Sequence, residues 1–147
     1  MATLKGTKAT AGAQARKVET GTISVLSKYN LAAGALSAGD VLQMAKVPHG
    51  AIIDDLKVIM TGSGNDTKVV VRIGDGGSAA RYFGSASLSL TVGATIVLSD
   101  NWGYQYDISD TDAQFDTIDI TIGTVTSATA TGTVTMLLNY HCDESDP

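Results

Sequence analysis

Residues 115–122 set apolar side chains at every second position: Ile118, Ile120 and Ile122 fall on one side, Thr117, Asp119 and Thr121 on the other. Only an extended strand, whose side chains alternate between two faces, turns that spacing into one buried and one solvated surface. The same period returns along the chain. It marks residues 22–25 and 103–108, residues 41–47 and 132–140 read as further strands, and residues 67–73 place Val69, Val71 and Ile73 on one face. Residues 51–61 supply Ile53, Leu56, Val58 and Met60, but the alternation slips by one at Asp54-Asp55, which predicts a β-bulge there. No helical period competes with these runs.

Turn chemistry separates them. Pro48-His49-Gly50 combines a missing amide with a residue free to take positive φ. Residues 30–39 form a loop of Ala, Gly and Ser. Gly62-Ser63-Gly64-Asn65-Asp66 is read as a hairpin loop between two paired strands. Gly74-Asp75-Gly76-Gly77 precedes a shorter strand around Arg81-Tyr82-Phe83, and residues 87–98 fit either two short strands or one irregular segment. Eight or nine short strands with frequent turns predict an all-β fold, an antiparallel β-sandwich or jelly roll with an extended N-terminal arm.

Charge divides the chain. Every Lys and Arg lies at or before Arg81, so the first 99 residues hold ten bases and six acids, while residues 100–147 hold nine carboxylates and no base. Residues 1–17 carry four bases, no acid and no apolar periodicity. Too little apolar surface is present there to offset backbone ordering, at about 1–2 kcal/mol per residue. The expected organisation is a mobile basic arm over 1–17, a β-sandwich over 18–142 and an acidic tail over 143–147. At 147 residues the whole suits one domain. A basic arm on an acidic body suits a protein that docks onto a larger assembly, including copies of itself.

The signatures of an enzyme are missing. His49 sits in a turn far in sequence from His141, and no Ser occupies a Gly-x-Ser-x-Gly elbow. Cys142 is the only cysteine, which precludes an internal disulfide and leaves a strand-end thiol beside the acidic tail. Gly74-Asp75-Gly76-Gly77 lacks the Gly-Lys-Ser/Thr and the following helix of a phosphate loop. Asp107, Asp110, Asp112 and Asp116 depart from the spacing of a calcium loop and read as solvated, as Asp54-Asp55 reads as an outward pair at the bulge. No run nears the ~18–20 apolar residues of a membrane span, and no signal-peptide core opens the sequence. No cofactor, metal, nucleic acid or membrane partner is expected. Trp102, Tyr104 and Tyr106 share one face of an alternating run. Three readings stay open for them: core, subunit interface, or a face on which sugar rings stack.

The runs Ala38-Gly39-Asp40-Val41-Leu42-Gln43-Met44, Val47-Pro48-His49-Gly50-Ala51-Ile52-Ile53-Asp54-Asp55 and Ile73-Gly74-Asp75-Gly76, followed by Arg81-Tyr82-Phe83, together resemble small structural proteins of tailed bacteriophages. They are similar to head decoration, or cement, proteins. That resemblance spans about residues 36–84 and the strand-rich end. It implies a non-enzymatic virion protein that is assembled in the host cytoplasm and sits on the capsid exterior. It further implies a major capsid protein as partner and a homo-oligomer, a trimer in the first place and a dimer otherwise. On that reading Leu4, Lys5, Lys8, Arg16 and Lys17 are the expected attachment residues. The alternative is a carbohydrate-binding jelly-roll module of a phage fibre or other surface protein, with Trp102, Tyr104 and Tyr106 as its glycan face.

Overall fold

A computed structural model describes residues 3–5, 21–31, 36–48, 50–63, 68–89, 94–97, 115–125 and 131–142. Nine strands appear in it: β1 (Thr3–Lys5), β2 (Ile23–Asn30), β3 (Val41–Pro48), β4 (Ala51–Ser63), β5 (Lys68–Gly74), β6 (Phe83–Ser89), β7 (Ala94–Val97), β8 (Phe115–Val125) and β9 (Thr131–Cys142). They build two sheets, ordered β1-β3-β8-β5-β6 and β2-β9-β4-β7. From β2 onward, every step of the chain except β5 to β6 changes sheet. Eight strands wound this way form a jelly roll, and β1 is added to one edge. The all-β expectation holds.

The two inner faces meet in one core. β3 contributes Leu42, Met44, Ala45 and Val47, β5 contributes Val69, Val71 and Ile73, and β8 contributes Ile118, Ile120 and Ile122. From the opposite sheet come Ile53, Leu56, Val58 and Met60 of β4 and Val134, Met136, Leu138 and Tyr140 of β9. Each such aliphatic side chain contributes roughly 1.5–3 kcal/mol when fully buried. The phase slip in β4 is real: its register against β9 passes from Ile53↔Tyr140 to Asp55↔Asn139, leaving Asp54 as the extra residue.

Two expectations are corrected. β4 and β5 do not form a hairpin, because β4 already has β9 and β7 on its two edges and β5 pairs with β6 and β8. The small-residue segment between them therefore crosses from one sheet to the other. At residues 30–39 Asn30 still belongs to β2, and Leu31 and Leu36 are core. Arg81 and Tyr82 belong to the turn before β6, although Tyr82 is buried and donates its N–H to Ile73 O at 2.9 Å.

Gly39-Asp40 governs the entry to β3. Gly39 has φ 90°, a conformation costly for any residue with a Cβ, and donates its N–H to Ile122 O at 2.7 Å. Asp40 O accepts from Ile122 N–H at 2.8 Å, and the buried Asp40 carboxylate accepts from Ser37 N–H at 2.8 Å. Main-chain and side-chain bonds together thus fix where β3 starts against β8.

Candidate functional site

The described strands and the turns between them present three surfaces. The first is the β3 edge. Thr3, Leu4 and Lys5 pair in parallel with Val41, Leu42 and Gln43, the one parallel pairing among the described residues. Of the expected attachment residues, Leu4 and Lys5 lie on this strand; Lys8, Arg16 and Lys17 lie outside the described residues. The arm was expected to lack partners before docking, and over residues 3–5 it has one within its own chain. Ordering three residues costs about 3–6 kcal/mol. The few ladder bonds they gain return about 1 kcal/mol each. β1 is therefore a marginal strand beside a robust core.

The second surface is the Gly74–Arg81 turn against the start of β8. Asp75 is buried and organises it: Oδ1 accepts from Gly77 N–H at 2.9 Å and Ser78 N–H at 2.8 Å, and Oδ2 accepts from Arg81 Nε–H in a salt bridge. The two amides that a phosphate would need are thus held by Asp75 itself. Gly74 is required by close approach, since a Cβ there would stand 1.9 Å from Ser78 O. Across the ladder Gly74 faces Asp119, and a Cβ on Gly76 would lie 3.0 Å from Asp116 Oδ1. Asp119, placed on the polar face by its spacing, is only 8% exposed, and its Oδ1 has no hydrogen-bond partner. Burial pushes its carboxyl up to about 6; a hydrogen bond from Thr117 opposes this, and the negative charges of Asp116 and Asp75 reinforce it.

The third surface is the outer face of the four-stranded sheet. Leu26, 49% exposed, stands opposite Leu137, which stands opposite Lys57 on its other side. Ile59, two residues further along β4, is 37% exposed, and Lys28 lies on the same face of β2. At one end of this face His141 Nδ1 lies 2.8 and 2.9 Å from the two oxygens of Asp54, the bulge residue. Cys142 closes β9 as a buried free thiol. Among the described residues, no three His, Cys, Asp or Glu are placed to hold a metal ion. Trp102, Tyr104 and Tyr106 lie outside the described residues, as do His49, Asp107, Asp110 and Asp112.

No protein-family model matches this sequence, and no curated protein matches it. Solved structures do share its fold. A chain from the capsid of Ralstonia phage GP4 superposes with a TM-score of 0.71 at 11% identity, over 97% of this chain and 99% of that one. A chain of the cyanophage Pam1 capsid asymmetric unit gives 0.63 at 17% identity, over 89% and 96%. A chain of the acid-stable capsid of Helicobacter pylori bacteriophage KHP30 gives 0.53 at 12% identity, over 85% and 90%. The jelly roll described above is thus a fold found in chains of phage capsids.

Proposed function

We propose that this protein is a non-enzymatic component of a bacteriophage head that binds the outside of the assembled shell and braces it, as a decoration protein does. The observation that carries this reading is the end-to-end likeness to a chain of the GP4 capsid, which this chain covers over 99% of its length. Two features of the sequence and fold support it. Its conspicuous motif residues, Asp40, Asp75 and Arg81, are occupied in holding turns together. Its four leading bases, Lys5, Lys8, Arg16 and Lys17, suit an acidic capsid surface. Attachment would combine arm contacts with burial of an outer sheet face. An oligomer, a trimer in the first place, would turn several modest contacts into durable binding.

The test uses shells assembled from the major capsid protein of the virus that encodes this chain. Full-length protein is expected to co-sediment with expanded shells and to raise the temperature at which they break. A form lacking residues 1–17 is expected to keep its β-type circular dichroism and to lose most of that binding. Failure of the full-length protein to bind such shells overturns the reading. Undiminished binding by the shortened form removes the arm from it.

A further inference from the structure

The β3 edge is where the structure leaves most to be decided. β3 is eight residues long, and β1 pairs with only its first three, Val41, Leu42 and Gln43. Seventeen residues, 6–22, separate β1 from β2, and β2 lies in the opposite sheet. That connection can span ~55–60 Å when extended. A folded body of roughly 125 residues has a radius of gyration of about 14 Å, so a connection of that length suffices to bridge to a neighbouring copy. A short edge strand on a long polar tether makes the same ladder bonds whether the edge belongs to its own chain or to a neighbour's. Tether length and the local concentration of neighbours then decide the partner.

We infer that the β3 edge is an exchange site: in the oligomer, residues 3–5 of one copy pair with Val41–Gln43 of another copy, in the parallel register Thr3↔Val41, Leu4↔Leu42 and Lys5↔Gln43. The occupant is a second copy of this chain. Exchange covers an edge that would otherwise offer unpaired amides and carbonyls to any passing strand. It also makes each copy hold its neighbour, so that the oligomer tightens without a new contact surface. The basic residues of the connection, Lys8, Arg16 and Lys17, are then carried between copies. This inference does not depend on the capsid reading and is tested without shells.

Disulfide trapping decides it. The buried native thiol is first removed by Cys142→Ala. In that background, chains carrying only Lys5→Cys are co-expressed with chains carrying only Gln43→Cys, and the purified full-length protein is mildly oxidised. A chain with both substitutions is treated in parallel. The expected result is a disulfide joining two chains in the co-expressed pair, with the linked peptide containing residue 5 of one chain and residue 43 of the other. An intrachain link in the double variant, with no link between chains in the co-expressed pair, overturns exchange. Absence of either link overturns the register itself, and the inference with it.

Discussion

Asp119 shows how a single side chain can carry a pH signature. Its folded pKa of about 6 lies above the ordinary value of 3.8, so between these two values the folded state binds more proton than the unfolded state. Stability then falls as pH rises through that window, because ionising a buried carboxyl beside Asp116 and Asp75 is costly. A gap of about two pH units corresponds to roughly 3 kcal/mol at most. Asp119→Asn is therefore expected to be more stable than the parent at pH 7 and to match it near pH 4. Urea denaturation at both pH values reads the difference, and an equal offset at the two would remove ionisation as its cause. Asp75 has the opposite character, with its carboxylate satisfied by two amides and a guanidinium. Asp75→Ala strips all three partners at once and should cost about 3–5 kcal/mol. Arg81→Ala leaves the amide bonds in place, and should cost about 1–3 kcal/mol. The order of the two midpoints in urea checks this. Asp75 was legible as part of a turn from its neighbouring glycines, whereas the burial of Asp119 was not. Alternation assigns a face of the sheet, but it does not say what lies against that face.

Among the elements, β4 offers the sharpest contrast. Its bulge residue, Asp54, sits between Ile53↔Tyr140 and Asp55↔Asn139, consecutive partners on β9. Deleting Asp54 restores a regular ladder and keeps Ile53, Leu56, Val58 and Met60 facing inward, at the loss of the His141 contact. Deleting Lys57 instead forces a choice: either Val58 and Met60 turn outward, or Asp55 turns inward while Leu56 leaves the core. Each route forfeits roughly 3–6 kcal/mol of side-chain burial, enough to unfold a domain whose net stability is about 5–15 kcal/mol. The Asp54 deletion is expected to melt cooperatively within about ten degrees of the parent, and the Lys57 deletion to show no native transition in a thermal scan. Strand faces and the bulge were legible because the two-residue period is local. Strand partners were not. The glycine-rich run at 62–66 has the composition of a hairpin loop, but a loop of small residues serves equally to cross between sheets, and only the occupied edges of β4 decide between them. Leu31 and Leu36 escaped notice for a related reason: two isolated leucines in an Ala/Gly stretch have no period to announce their burial.

For the whole molecule, the two candidate docking surfaces differ in physics, and so can be told apart in solution. The leading segment carries bases on a polar chain, while the outer face of the four-stranded sheet centres on Leu26, Leu137 and Ile59. Attraction between exposed charges is screened over ~10 Å at 0.1 M salt and ~3 Å at 1 M. Apolar burial is not weakened by salt, and excluded salts strengthen it. If the arm supplies the attachment, neutralising Lys8, Arg16 and Lys17 together to Gln should weaken shell binding by about tenfold per copy, at roughly 0.5 kcal/mol for each exposed pair. The residual affinity should then respond less to salt than the parent's. Leu26→Asp with Ile59→Asp is expected to leave the salt slope nearly unchanged and to lower affinity at every ionic strength if the sheet face also docks. Titrations of shells with the parent and both variants at 0.05 and 0.5 M salt separate these contributions. A parent slope near zero would place attachment on the sheet and exclude the cationic arm from it.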